Sequence, residues 1–425
     1  MDFNIFFCRF GLDSHQFRNK TIEPVSADNG NIIYEVEEQA KKRICPYCQH
    51  EFMFVHDYNW VEIKLNSTIM VKEFLRIRKV RYKCKECGKT HTFDLQGIDR
   101  NATLSPYIET AIKREFLQIQ SFKDISLRYG ISLSQTLNIY DKYTKLTPKM
   151  PLPRYLCIDE KHFVGDNNGT YVVVLSDFFS GEVIDVINNR QMPYLNEYFQ
   201  SISLQERKNV EVFISDMYDG YSTVKDRFFR KALFVVDLFH VIKLLTEAVK
   251  RIRIRTYNQF ASEDTIEKHF MKANWKVFLC NQSKIRKNLY HSAKYDVSIP
   301  YGEIITNCLK LNQVFWDGYD LLQELLHYDK YESYAEANDF MEHIISKLRL
   351  TGDELLNKVA DSYAKWKVGI VNGLARNQTG RRYSNAIAEG NNSHIQRIIN
   401  VSYGYKSFRR LRSRIMLIRT YKNKG

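Results

Sequence analysis

Two short cysteine pairs, Cys45-Pro46-Tyr47-Cys48 and Cys84-Lys85-Glu86-Cys87, constrain this chain more than any other feature. A C-x-x-C turn points two thiolates at one place. Two such turns supply the four sulfurs of a closed tetrahedral site, each about 2.3 Å from a Zn²⁺ ion. Gly88, directly after the second pair, suits such a turn. The 35 residues between the pairs are rich in alternating β-type runs, so a short sheet is expected to bring the turns together. A redox role would need only one pair. His50 and His91 lie near enough in sequence to stand in as ligands, although solvated surface positions explain them better. A site of four cysteines has no open coordination position, so the expected Zn²⁺ folds its segment rather than catalysing. Eight cysteines in 425 residues are too few for a disulfide scaffold, and their metal-type spacing points to a reducing compartment, the cytoplasm.

The rest of the chain narrows the class further. Lys and Arg number 63 against 49 Asp and Glu, a formal charge of +14 that favours a polyanionic partner. A hydrophobic fraction of 44% with 26% charged residues excludes a disordered or fibrous chain. No run of eighteen apolar residues occurs, so no membrane span is expected, and residues 1–8 lack the basic start of a signal peptide. At roughly 100–200 residues per domain, two to four structural units are expected.

Pattern divides the chain into segments. Residues 1–100 hold short β-type runs, such as 31–36 and 60–65, around the cysteines. Residues 101–147 read as helical. Pro148, Pro151 and Pro153 then fall so close together that no helix continues through them, and the stretch reads as a linker. Strand-like runs follow at 154–159, 171–176 and 182–188, a helix at 194–203, and strands at 210–215 and 232–236, a mixed α/β pattern. Residues 241–380 read as almost wholly helical; Phe315, Tyr319, Leu322 and Leu326 keep the helical period. From Lys406 to Lys424 the chain is dense in Arg and Lys.

Two further patterns carry chemistry. From Ser121 to Thr136 the sequence fits a helix-turn-helix: Ile125 and Tyr129 face inward, Gly130 permits the sharp turn, and Ser132 caps the second helix. Ser134, Gln135 and Asn138 would then project toward base edges. An ordinary helical hairpin has the same pattern. Asp159 ends the apolar run 155–158, and Asp216 ends 210–215. Two aspartates leaving adjacent strands could hold a pair of Mg²⁺ ions about 3.5–4 Å apart, and hard cations favour such oxygen ligands. The plainer alternative is an Asp that begins a turn. Glu389 is the third candidate. On a helix it shares a face with Asn392 and Gln396, while Ile387, Ile395 and Ile398 line another. Glu160, Asp177, Asp185, Asp219 and Asp237 also lie near strand ends, and the pattern does not choose among them.

The ordered set resembles a known family. The two cysteine pairs, the helix-turn-helix pattern, Cys157-Ile158-Asp159-Glu160, the run from Ser215 to Tyr221, Val236 to His240, and Asn385 to Asn392 together resemble the ISL-three family of bacterial insertion-sequence transposases, across essentially the whole chain. The resemblance implies an α/β fold: a ribonuclease H-like catalytic core with a large all-helical insertion, preceded by a zinc ribbon and a helix-turn-helix domain. The core's first part would span 148–240 and the insertion 241–380. Residues 381–425 would supply the last catalytic helix and a basic segment completing the core. The implied triad is Asp159, Asp216 and Glu389, with His240 as a secondary site residue. The implied activity is binding of terminal inverted repeats, cleavage of the DNA ends by two-metal hydrolysis with Mg²⁺ or Mn²⁺, and joining to target DNA, in a homodimer on double-stranded DNA. Arg76, Arg78, Lys79 and Arg81 would contact phosphates, and Trp275, Trp316 and Trp366 read as core residues of the insertion. The alternatives are a sequence-specific DNA-binding protein with an inactive core and a structure-selective nuclease.

Overall fold

The structure is a computed structural model. It describes residues 2–28, 30–67, 71–98, 102–145, 147–166, 169–259, 264–285, 288–328, 331, 333–375, 383 and 386–422. The chain forms two compact units, one of residues 1–148 with 395–425, the other of residues 149–394.

The first unit opens with helix α1 (Phe3–Arg9), whose N-terminus is capped by Asp2 accepting from the Ile5 N–H at 2.9 Å. A sheet follows: β1 (Pro24–Asp28), β2 (Asn31–Glu37), β3 (Met53–Ser67), β4 (Lys72–Cys84) and β5 (Thr90–Thr92), in the order β1-β2-β4-β3 with β5 on β4. Alternation along β3 and β4 turns Ile63, Leu65, Leu75 and Ile77 to one face, where they pack with Phe6 and Phe7 of α1 and with Phe10 directly after it. Helices α2 (Pro106–Glu115), α3 (Phe122–Tyr129) and α4 (Leu133–Tyr143) come next. Gly130 ends α3 in the left-handed region (φ +58°), and its carbonyl accepts from Lys64 Nζ at 2.6 Å. Ser132 and Gln135 form a capping box at the start of α4.

The second unit holds β6 (Tyr155–His162), β7 (Tyr171–Asp177), β8 (Val183–Ile187), helices α5 (Met192–Ser201) and α6 (Leu204–Lys208), β9 (Val212–Ser215), α7 (Asp219–Phe228) and β10 (Leu233–Val236). The strand order is β10-β9-β6-β7-β8. β6, β7 and β8 pair antiparallel, whereas β9 lies parallel to both β6 and β10. Expected to end at Asp159, β6 continues three residues further because β7 keeps pairing with it as far as His162↔Tyr171. Asp159 therefore lies inside a strand; Asp216 directly follows one.

Helices α8 (Leu238–Gln259), α9 (Ile266–Ala273), α10 (Tyr301–Lys310), α11 (Gln313–His327), α12 (Tyr334–Leu350) and α13 (Glu354–Leu374) make a helical body with its own core. A hairpin of β11 (Leu289–Ser292) and β12 (Val297–Pro300) interrupts the stretch expected to be helical. α13 packs closely on β10, where a Cβ at Gly369 would stand 2.7 Å from Val236 Cγ2. Among the described residues no helix is long and apolar enough to cross a membrane.

α14 (Ala386–Val401) carries the unit boundary, between His394 and Ile395. The last helix, α15 (Phe408–Lys422), belongs to the first unit and packs with α2–α4. Tyr140 Oη donates to the Arg410 carbonyl at 3.0 Å, and Arg410 donates two hydrogen bonds to Asp141. Arg414 is buried over the Phe116 and Phe122 rings and donates to the carbonyls of Gln118 and Gln120.

Candidate metal centres and active site

The cysteine cluster is built by two matching turns. In each, the first cysteine's carbonyl accepts from an N–H four residues on: Gln49 to Cys45 at 2.9 Å, Gly88 to Cys84 at 3.2 Å. Gln49 and Gly88 both take positive φ, 60° and 68°. Antiparallel pairing of β3 with β4 sets Met53 opposite Cys84 and so joins the turns. The Sγ atoms of Cys45 and Cys87, and of Cys48 and Cys84, are 3.6 Å apart, and all four lie within 4.8 Å of one another. A tetrahedron with Zn–S bonds of about 2.3 Å needs sulfurs about 3.8 Å apart, so the cluster fits a structural zinc ion. Burial works to raise the Cys45 thiol, but hydrogen bonds from the Tyr47 and Cys48 N–H groups and neighbouring sulfurs bring it down to about 7. Cys48 moves the other way: the His50 N–H pulls it down, but burial and the neighbouring sulfurs of Cys84, Cys87 and Cys45 push it up, so the thiols of the cluster titrate together. His50 and His91 are outside the cluster.

In the second unit, Asp159 is buried on β6. Its Oδ1 accepts from the Glu160 N–H at 2.8 Å and its Oδ2 from Asn392 Nδ2 at 2.7 Å. Asn392, on α14, also donates to the Glu160 carbonyl. Among the described residues, the buried Asp216 Oδ1 and the buried Asn392 side-chain oxygen have no hydrogen-bond partner. Burial lifts both aspartates to about 6; Asp237 and Glu160 add to the rise at Asp159, and Glu160 and Asp159 at Asp216, while His240 opposes it at both. Asp237, fully buried, accepts from the Phe239 N–H and pairs with His240 Nδ1 at 3.0 Å. Burial disfavours the imidazolium, but the Asp237 hydrogen bond and the charges of Asp237, Asp216 and Asp159 outweigh it and raise His240.

Glu160 points to the opposite face of β6, where Arg190 Nη1 lies 2.7 Å away and Tyr221 Oη donates at 3.2 Å. Three other open candidates have partners of their own. Asp177 accepts from the Phe179 and Ser180 N–H groups, Asp185 from Tyr198 Oη, and Asp219 pairs with Lys365. Glu389 is half-buried on α14. Among the described residues the four cysteines alone bring three or more His, Cys, Asp or Glu ligands within 4.8 Å, so Glu389 does not close on Asp159 and Asp216 to that spacing. Ser384, Asn385 and the Ile387 side chain lie outside the described residues.

A profile of DDE transposases of the ISL-three type, described as "Transposase", matches residues 156–415. The chain belongs to the ISL-three transposase family. Among curated proteins none matches it. The match spans every acid just described, and the family implies a metal-dependent enzyme acting on DNA.

The residues expected to touch DNA in this transposase are unequally placed. Ser134 and Asn138 are exposed on α4. Gln135 is engaged locally: its side-chain oxygen accepts from the Ser132 N–H and its Nε2 donates to Thr103 Oγ1. On β4, Arg76 pairs with Glu62 and Glu35, Arg78 with Glu37, and Arg81 with Asp57. Register explains these pairs, because β4 lies between two strands that set acids opposite its arginines (Arg76↔Glu35, Arg78↔Glu37, Arg76↔Glu62). Lys79 is buried. Of the tryptophans in the helical body, Trp366 is buried, Trp316 is half-buried with its N–H on Asp320, and Trp275 is exposed. Sequence reasoning missed Arg190, which no local signal marks.

Proposed function

We propose that this transposase binds the terminal inverted repeats of an insertion sequence, cleaves the DNA ends and joins them to target DNA, with Asp159, Asp216 and Glu389 holding Mg²⁺ or Mn²⁺. The observation that carries the reading is the meeting of Asp159 and Asp216, on and just after adjacent parallel strands, in one buried environment. Two carboxylates held where charge is unfavourable, beside the unpartnered oxygens of Asp216 and Asn392, fit a hard divalent cation. When bound, a metal pair would activate the attacking water or 3′-hydroxyl and stabilise the leaving oxygen. The protein's own part is positioning. Asn392 fixes the Asp159 carboxylate, Asp237 orients His240, and Arg190 with Tyr221 holds Glu160, whose charge still acts on Asp216. Glu389 lies one helical turn before Asn392 on α14, which supports it as the third ligand.

The strand order, three antiparallel strands extended by two parallel ones, supports a ribonuclease H-like core. α3 and α4, with Gly130 at the turn, support a helix-turn-helix that reads DNA through Ser134 and Asn138, and through Gln135 once its cap contacts are released. The zinc-bearing sheet would meet phosphates through Arg76, Arg78 and Arg81, with Lys79 the least accessible. Handling two DNA ends together calls for a homodimer.

The test is Mg²⁺-dependent nicking of a labelled end duplex by wild type, Asp159→Asn, Asp216→Asn and Glu389→Gln. Each variant should bind the duplex and cut it orders of magnitude more slowly, without the losses adding, because the acids act as one unit. A Glu389→Gln enzyme that cuts normally removes Glu389 from the triad. Wild type that binds ends but never nicks them with Mg²⁺ or Mn²⁺ is a DNA-binding protein with an inactive core.

A further inference from the structure

The unit that carries the acids has a second concentration of charge that cleavage does not use. Between α6 and the turn from α7 to β10 lies an open cavity of about 290 Å³. Arg207, Lys208, Arg227, Arg230 and Lys231 line it, and no acidic side chain does. Its floor is apolar: Phe228 is buried there, with the guanidinium groups of Arg207 and Arg227 at 5.4 and 5.5 Å from its ring centre. The acids nearest in sequence are engaged elsewhere, Glu206 by Lys149 and the Leu152 N–H, Glu211 by Arg154, and Asp226 by Lys225. Arg207 and Arg227 are anchored by neutral acceptors, the Ile202 carbonyl and Asn196 Oδ1, which fix the side chains without cancelling their charge. Lys208, Arg230 and Lys231 are exposed. Five cations around one cavity repel each other, and such an arrangement is stabilised by an anion from outside.

The cavity's position separates it from the acids. Val210 lines it, and Asp216 lies beyond the far end of β9; Lys231 lines it, and Asp237 lies beyond the far end of β10. With about 3.3 Å per residue along a strand, each path is roughly 20 Å long. Because β9 and β10 are parallel, both run from the cavity toward the acids. The phosphates held at the cavity are thus not those at the point of cleavage. Duplex DNA carries one charge per about 1.7 Å of axis, a density that five spread cations match better than a single small anion does. The lining has no carboxamide or carboxylate to read adenine or cytosine edges, so any base contact its cations made would be confined to guanine.

We infer that this cavity grips the phosphate backbone of target DNA without reading its sequence. The inference rests on the reading of the chain as a transposase that joins ends to target DNA. The test uses the full-length Lys208→Ala/Arg230→Ala/Lys231→Ala variant, with Lys208→Arg/Lys231→Arg as the charge-preserving control. Affinity for a random-sequence duplex is measured across a salt series, beside Mg²⁺-dependent nicking of an end duplex and joining of a pre-cut end to plasmid DNA. Losing three phosphate contacts should make the salt slope on random duplex shallower by about 2–3 and cut affinity at least about tenfold. Joining should fall in step, nicking should stay at the wild-type rate, and the control should match wild type. Unchanged affinity and slope on random duplex overturn the inference. An equal loss in nicking of the end duplex assigns the cavity to the element's own end and overturns the target assignment. If wild type neither nicks nor joins while the variant's slope still falls, the phosphate surface stands and the cleavage reading fails.

Discussion

Burial makes Asp159 and Asp216 weaker acids than usual, and that sets a sign for pH dependence. Both rise from 3.8 to about 6 on folding. A raised acid stabilises the fold fully below the unfolded value, and that contribution is lost as pH climbs through the folded one. In chelator, wild type should therefore lose stability between about pH 4 and 6. Asp216→Asn, which never charges, should be more stable at pH 8 by on the order of 2 kcal/mol and equal to wild type near pH 4. Denaturant melts at the two pH values check this, and no difference at pH 8 would contradict the buried-charge account. Added Mg²⁺ should reverse the order, stabilising wild type and leaving the variant unmoved, because only the native site binds the cation. That the two aspartates lie on or just after strands was legible because each follows an apolar run, although β6 runs on past Asp159. Arg190 was not, since its partner Glu160 is fixed by the paths of β6 and of the segment after β8 rather than by any spacing in the chain.

The elements were read with uneven success, for physical reasons. Long alternating or periodic segments such as β3, β4 and α11 declare themselves, and the cysteine turns declared the sheet between them. The β11–β12 hairpin did not, because four-residue strands carry almost no period and arise from pairing with each other. Likewise β6 outruns its apolar run because β7 supplies partners for polar residues. Three predictions belong at this scale. Cys84→Ser, or strong chelation, should unfold the sheet around the cysteines and release one Zn²⁺ per chain, while residues 149–394 stay folded; metal analysis with hydrogen exchange measures both. Gly130→Ala places a Cβ at φ +58°, 3.3 Å from Lys64 Nζ, and should cost about 1–2 kcal/mol in denaturant unfolding of the first unit. Ser132→Ala, removing a cap, should cost about 1 kcal/mol in the same measurement.

At the scale of the whole molecule, the chain's basic final stretch is structural as well as charged. Arg414 is buried, and its donors satisfy the Gln118 and Gln120 carbonyls in the turn between α2 and α3. Arg414→Ala should leave those carbonyls unpaired and lower protection of α2–α4 in hydrogen exchange by about 2–3 kcal/mol, with β6–β10 unaffected. Equal protection would mean that α15 merely lies alongside. This arrangement also has a consequence in time. Asp141 and Arg410 are 269 residues apart in the chain. At about 5–20 residues per second, a ribosome needs roughly 15–50 s to travel between them. For that interval α2–α4 stand unfinished, with Phe116 and Tyr140 lacking their cover, while the strands that bear the acids have already emerged. A nascent chain whose synthesis stops early would thus carry the strands that bear the acids but never complete the helices beside the cysteine sheet.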